Sequence, residues 1–318
     1  MNLAYADKKA DAPTDDATGV AQSEGSTTKA EVKPLKTSVS AVATTQQAAV
    51  PSRTLHMLRS LPSTKITAVL IGACSVMAGL LLWHFATETK FNYFINFENV
   101  PAPLVVGSAF LVHLADPEFH THIAVSLRRI GFAYSFAVVL GVVLGLIVGR
   151  SRTARAAILP YIEIIRPIPA VAWIPLAILM WPTEESSIIY ITFLGALFPI
   201  ILNTVHGVEQ TPEVLVRAAR SLGASRMEIF WHVVLPSALP SIGAGLAIGM
   251  GISWFSLLAG EIISGQYGIG YFTWNAYSLI NYPDIVVGML VIGGLGSLST
   301  WLIRAAMRPA LRWNLKAK

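Results

Sequence analysis

Charged residues are scarce in this sequence of 318 residues, and only 13% of them are Asp, Glu, Lys or Arg. A soluble domain carries roughly 25% charged residues, so the composition argues against a chain that lies wholly in water. Hydrophobic residues make up 54% of the sequence. Lipid is therefore the solvent that the composition favours for most of the chain.

Cysteine is nearly absent as well. The single residue Cys74 lies within an apolar run, which excludes an internal disulfide framework and a cysteine-rich metal site. The sequence contains no G-x-x-x-x-G-K-[ST] phosphate loop and no H-E-x-x-H zinc motif. We therefore predict a non-catalytic chain that binds no cofactor of its own.

One polar cluster has side chains of the types that bind zinc, namely His113, Asp116, Glu118, His120 and His122. The same residues fit a polar loop that leads into an apolar segment. We favour the loop and predict no metal site.

Residues 1–63 differ from the rest of the chain, because they are polar and show no sustained apolar period. Such a stretch buries too little surface to offset the entropy of ordering it. We predict a disordered cytoplasmic tail over 1–63 and a transmembrane domain over 64–318.

The transmembrane domain contains six apolar segments of the length that crosses a bilayer as a helix, about 20 residues. They run over Ile66–Phe85, Ile130–Val148, Ala154–Trp181, Ser187–Gly207, Ser241–Ala259 and Ile285–Ile303. Small residues recur at helical spacing in the second span, as Gly141, Gly145 and Gly149. This spacing lets helix backbones approach closely, so the sequence predicts an all-α bundle.

The third span is interrupted by Pro160, Pro167, Pro169 and Pro175. Proline removes a backbone donor and breaks a helix, and a break at membrane depth is tolerated only where it is buried in protein or lines a wet cavity. We predict a broken span there.

Positive residues predict the orientation, because Lys and Arg concentrate in cytoplasmic loops. One side of the six spans holds Arg53, Arg59, Lys65, Arg150, Arg152, Arg155, Arg217, Arg220, Arg226, Arg304, Arg308, Arg312, Lys316 and Lys318. The other side holds Lys90, Arg128 and Arg129. Both termini are therefore expected in the cytoplasm. Since the basic residues flank apolar segments and form no stripe on a soluble domain, lipid is an expected partner and nucleic acid is not.

A long cytoplasmic loop, 209–240, separates the fourth and fifth spans. Thr211 is of a type that caps a helix N-terminus, Gly223 is placed to end that helix, and Ser225 with Glu228 matches a capping box. Leu235-Pro236 is expected to end the second helix. The loop thus predicts two short helices that present apolar and small residues outside the membrane. Such a pair suits a grooved cytoplasmic partner, or alternatively the lipid surface.

The loop resembles the EAA loop of ABC importer permeases. The residues that show this resemblance are Arg217-Ala218-Ala219-Arg220-Ser-Leu-Gly223 and, after nine residues, Val233-Val-Leu235-Pro236. The spacing matches the family pattern, but Arg217 stands where the pattern has Glu. Segments between Thr121 and Arg312, including Glu163-Ile-Ile-Arg166-Pro-Ile-Pro169, are similar to permeases for nitrate, sulfonate, taurine and bicarbonate.

The resemblance implies a type I importer permease in a bacterial inner membrane, with a five-helix core and one additional N-terminal span. Its implied partners are a cytoplasmic ATPase that uses ATP and Mg²⁺, an outer solute-binding protein and a second permease copy, in a homodimer. In the family, this loop seats in a cleft of the ATPase. The implied cargo is a small oxyanion. A secondary transporter or channel without an ATPase, and a membrane scaffold, are the alternatives.

Five residues are candidates for the translocation path: Glu163, Arg166, Trp173, Trp254 and Glu261. Glu163 and Arg166 have i, i+3 spacing and can form a structural ion pair on one helix face, or Arg166 can supply positive potential to an anion path. Trp173 and Trp254 can equally be packing residues. Glu261 can gate the path or be an exposed carboxylate at the outer membrane interface.

Overall fold

A computed structural model describes residues 64–89, 97 and 99–311. The predicted tail over 1–63 lies outside the described residues. No β-strand occurs within these ranges. The helices are α1 Thr64–Glu88, α2 Pro103–Leu114, α3 Pro117–Arg150, α4 Arg152–Ile165, α5 Ile174–Met180, α6 Glu184–Glu209, α7 Glu213–Ser221, α8 Arg226–Ile229, α9 Leu235–Ser264, α10 Ile269–Ser278 and α11 Tyr282–Met307.

The predicted all-α membrane fold is confirmed. Five helical segments within the described ranges are long and apolar enough to cross a membrane, and α4 with the helical stretch up to Met180 makes a sixth if the bent pair counts as one span. The observed helices exceed the predicted spans, because polar turns continue them beyond the apolar stretch. The second span, expected from Ile130, begins at Pro117.

The third span is broken as predicted. Helix α4 ends at Ile165, and the helical stretch Ala170–Met180, which is a 3₁₀ turn over Ala170–Trp173 followed by α5, is bent by 87° from α4. Pro167 and Pro169 occupy the break. The break therefore coincides with prolines, which have no backbone N–H and cannot continue the hydrogen bonds of a helix.

Helix α6 lies at the centre of the bundle and packs against α3 on one side and α9 on the other. The predicted glycine row makes the first contact possible, because Gly141, Gly145 and Gly149 of α3 face side chains of α6. A methyl group on Gly145 would lie 2.5 Å from the Cβ of Thr204. Helix α1, in contrast, has no buried residue in its most apolar window.

Candidate functional site

The loop between the fourth and fifth spans begins with helix α7. This helix ends in a pair of hydrogen bonds in which the Gly223 amide donates to the Arg220 carbonyl and the Ala224 amide donates to the Ala219 carbonyl. That pattern is the Schellman motif, which requires a residue in the left-handed region. Gly223 has φ +86°, so the glycine ends α7 as the sequence predicts.

The predicted capping box opens α8. The Ser225 hydroxyl accepts from the Glu228 amide at 3.3 Å, and the Ser225 amide donates to the Glu228 carboxylate at 2.7 Å. The prediction at the start of α7 is wrong, because Pro212 takes the N-cap position there and the buried Thr211 hydroxyl has no hydrogen-bond partner in the described ranges. The backbone of Pro212 is extended, so the chain turns into the helix one residue later than expected.

The expectation that Leu235-Pro236 ends the second helix is also wrong. A π-helical segment, Phe230–Val234, connects α8 directly to α9, and the Leu235 amide donates to the Phe230 carbonyl five residues back. This wider turn gives the ring of Pro236 room against the preceding turn, where a regular α-helix would clash. The second helix of the loop is therefore continuous with the fifth span, over Arg226–Ile263.

The two faces of this helix pair differ. The inner face includes the half-buried Ala219 and the buried Ile229 and Val234, which pack near the base of α6 and α9. The outer face exposes Arg217, Ala218, Arg220 and Gly223, together with apolar side chains such as Leu222, of which 89% is exposed. Leu235 and Pro236 are half-buried.

The outer face is basic as well as apolar. Neither the Arg217 nor the Arg220 guanidinium forms an ion pair within the described ranges. Exposed leucine, valine and methionine side chains lie around them: Val214, Leu215, Leu222 and Met227. An apolar patch next to unpaired positive charge is typical of an interaction surface.

The break in the third span borders a cavity of about 280 Å³ between α4, α6 and α9. Arg166 and Trp173 line it, and Gly195, Ile252 and Ser256 line the opposite wall. The predicted pair forms, with Arg166 Nη2 at 2.9 Å from Glu163 Oε2, and each side chain is about half exposed. Glu163 borders the adjacent cleft rather than this cavity.

Glu261 lies in a different place, within the protomer at the end of α9. Only 1% of it is exposed, so its interpretation as an exposed carboxylate is wrong. Arg129 Nη1 donates to its Oε1 at 3.0 Å, and the Ser126 hydroxyl donates to the same oxygen at 2.8 Å. The Gly270 amide donates to Oε2 at 2.9 Å. The carboxylate thus ties α3, α9 and α10 together.

Arg129 extends this network. Its Nη2 donates to Glu185 Oε2 at 2.6 Å, and its Nη1 also donates to the Tyr267 carbonyl at 2.6 Å. The Ser126 hydroxyl accepts from the Ile269 amide at 2.9 Å. A buried charge is tolerated only when it is paired and hydrogen-bonded, and these contacts meet that condition.

Trp254 also lies apart from the cavity at the break. Its Nε1 donates to the Ser299 hydroxyl at 2.8 Å, and the ring is buried against α11. The five candidate path residues therefore occupy three places: the break, the α9–α11 contact and the buried network. Whether any of them lines the path stays a prediction.

The polar cluster near the start of the second span does not converge on one point. His113 pairs with Asp284 at 2.9 Å, while His122 accepts from the Gly268 amide at 3.1 Å. His120 lies 2.9 Å from the Leu114 carbonyl. No group of metal-binding side chains is found within the described ranges.

Sequence reasoning missed three residues that matter to these sites: Ser126, Gly195 and Ser256. A polar side chain inside an apolar span tends to face the protein interior, and this signal marks Ser256, whereas Ser126 precedes the predicted second span. Gly195 carried no comparable signal. Its importance comes only from the approach of α9, where a side chain would clash with the Ser256 hydroxyl.

A family model described as binding-protein-dependent transport system inner membrane component matches residues 137–312. A solved structure of the inward-facing MetNI methionine ABC transporter aligns with a TM-score of 0.49 and 21% identity, over 64% of this chain and 95% of that one.

Curated relatives fall in the same family. The nitrate import permease protein NrtB of Synechocystis sp. is 34% identical over 62% of this chain and 71% of its own length. The taurine transport system permease protein TauC of Escherichia coli is 36% identical over 63% and 72%. The bicarbonate transport system permease protein CmpB of Synechococcus elongatus is 37% identical over 58% and 68%. The chain therefore belongs to the family of binding-protein-dependent transport system inner membrane components, as a non-catalytic permease subunit in the ABC importer group that includes nitrate, sulfonate, taurine and bicarbonate permeases.

Proposed function

We propose that this chain forms the membrane path of an ATP-driven importer for a small oxyanion, such as nitrate, bicarbonate or an organosulfonate. The observation that carries the proposal is the loop 209–240. Its outer face is exposed, and its second helix continues into the fifth span without a break. A push on α7 and α8 from the cytoplasm is therefore transmitted along a rigid helix into the bundle.

The partners follow from this arrangement and from the family. Two cytoplasmic ATPase subunits would hold ATP and Mg²⁺ and receive the loop, while this chain binds neither. An outer binding protein would deliver the anion, and a second copy of this chain would complete the path as a homodimer. Both termini would lie in the cytoplasm of a bacterial inner membrane, as the positive residues indicate.

The loop also favours the importer over a secondary transporter or channel. A transporter driven by an ion gradient has no use for an exposed cytoplasmic helix pair fixed rigidly to a span. The apolar and basic outer face around Arg217 and Leu222 instead suits a protein partner with an apolar groove and carboxylates at its rim.

Reconstitution tests the proposal. Proteoliposomes that contain this chain, its ATPase and external binding protein should accumulate one of nitrate, bicarbonate or taurine only when ATP is supplied on the ATPase side. The matched control supplies a proton or sodium gradient without ATP. Accumulation driven by the gradient alone would overturn the proposal, and so would ATP-independent uptake.

A further inference from the structure

We propose that the cavity at the break of the third span holds the oxyanion in transit, bound by Arg166, Trp173 Nε1 and the Ser256 hydroxyl. The inference rests on the proposed function and adds a binding site to it. The cavity measures about 280 Å³, and liquid water occupies about 30 Å³ per molecule. A small oxyanion with part of its hydration shell therefore fits.

Two unpartnered polar groups mark the site. Trp173 Nε1 and Ser256 Oγ are both buried, and neither has a hydrogen-bond partner among the residues that the structure describes. Buried polar groups are nearly always hydrogen-bonded, so two buried groups without a partner are expected to bind a ligand or a water molecule. Both residues line the same cavity. An indole N–H can only donate, which suits an anion and does not suit a cation.

The charge in the cavity has the matching sign. Arg166 is the charged residue among the described lining residues, and the others apart from Trp173 and Ser256 are apolar, glycine or proline. Its pair with Glu163 uses Nη2 at 2.9 Å, and a guanidinium carries five N–H donors in all. N–H donors of the Arg166 guanidinium therefore remain for an oxyanion, and the apolar walls of the cavity strengthen the electrostatic attraction between the guanidinium and the anion.

The glycine at position 195 fits this assignment. A side chain there would clash with the Ser256 hydroxyl, which approaches the α6 backbone closely. Because position 195 has no side chain, the Ser256 hydroxyl can lie against the α6 backbone, and both residues line the cavity. The helix break is also where backbone at membrane depth is expected to be buried in protein or to line a water-filled cavity.

A matched pair of serine variants tests the site. Ser253 and Ser256 are both fully buried, both lack a hydrogen-bond partner within the described part of the chain and lie three residues apart on α9, but only Ser256 lines the cavity. Replacing a buried hydroxyl that has no partner carries little folding penalty, so neither alanine variant should misfold. Melting temperatures of the two variants check this point.

The measurement is uptake of the anion that the wild type carries best among nitrate, bicarbonate and taurine, with saturating binding protein. A hydrogen bond to a charged group contributes enough that its loss weakens binding about tenfold. We expect Ser256→Ala to lower the anion imported per ATP by about that factor and Ser253→Ala to match wild type. Equal behaviour of the two variants would overturn the site.

The ion pair gives a second test. Arg166→Gln should reduce anion uptake strongly, Arg166→Lys should restore part of it, and Glu163→Gln should reduce uptake far less than Arg166→Gln does. Equal losses from Arg166→Gln and Glu163→Gln would indicate a structural pair and overturn the site. If the wild type accumulates no anion with ATP, the proposed function itself fails. If the wild type transports normally and every cavity variant does too, only the site fails.

Discussion

Arg128 and Arg129 are neighbours on α3 that differ mainly in burial. Among the described residues, the Arg129 side chain is 6% exposed and pairs with Glu185 and Glu261, while the Arg128 side chain is 59% exposed and pairs with Glu185 alone. The Glu261 carboxylate depends on Arg129 for its charge partner. Removal of one member of a buried pair leaves the other charge uncompensated.

We therefore expect Arg129→Ala to lower the free energy of unfolding by about 3–5 kcal/mol. Arg128→Ala should lower it by no more than about 1 kcal/mol, because an exposed ion pair contributes little. Chemical unfolding of the purified chain in detergent micelles, followed by tryptophan fluorescence, measures both. Similar losses in the two variants would mean that the buried network does not stabilise the outer end of the bundle.

At the scale of elements, the helix pair of the loop depends on one backbone conformation. Gly223 has φ +86°, and no heavy atom lies within 4 Å of where its side chain would be. A substitution there meets strain rather than a clash, since L side chains rarely adopt that region. The strain acts on the Schellman turn that fixes the angle between α7 and α8.

Gly223→Asp should therefore uncouple the importer, so that ATP hydrolysis persists while anion uptake falls severalfold or more. The matched control is Gly131→Ala on α3, which also has open space around it but no positive φ, and which should transport normally. The ratio of anion imported to ATP hydrolysed in proteoliposomes is the measurement. Normal coupling in Gly223→Asp would contradict a role of this loop in transmission.

Elements whose signals are local could be predicted from the sequence. The Schellman glycine, the capping box at Ser225 and the proline-broken span each follow from residues a few positions apart. The glycines at positions 141, 145 and 149 also predicted close packing, because their spacing places them on one face of the helix, where no side chain holds a neighbouring helix away. The glycines contact Ile200, Thr204 and Val208 of α6, although the partner helix could not be named in advance.

Features that depend on distant residues escaped prediction. Glu261 is buried because Ser126 and Arg129 reach it from 135 and 132 positions away, and no local pattern reports such contacts. Pro236 was expected to end a helix, as proline usually does, but the π-helical segment Phe230–Val234 leaves room for its ring and the helix continues. The residues of α6 and α9 that line the cavity at the break escaped prediction for the same reason, since Gly195 and Ser256 meet only when α6 and α9 pack.

At the scale of the whole molecule, the proposed function depends on the orientation of the bundle in the membrane. The distribution of basic residues predicts that the loop 209–240 lies in the cytoplasm and the segment after α10 on the outer side. Two exposed leucines are suitable positions for a labelling test of this orientation: Leu222 in the loop is 89% exposed and Leu279 after α10 is 71% exposed. Cys74 is the chain's single cysteine, so a Cys74→Ser background is free of other thiols.

In that background, Leu279→Cys should react with a membrane-impermeant maleimide in intact cells, whereas Leu222→Cys should react only after lysis. Expression without the ATPase keeps Leu222 uncovered, and labelling of both variants after lysis shows that both thiols are reactive. Labelling of Leu222→Cys in intact cells would invert the bundle. The apolar and basic face of α7 would then lie outside, where no ATP is available, and the proposed transmission of force through α8 into α9 would have no source.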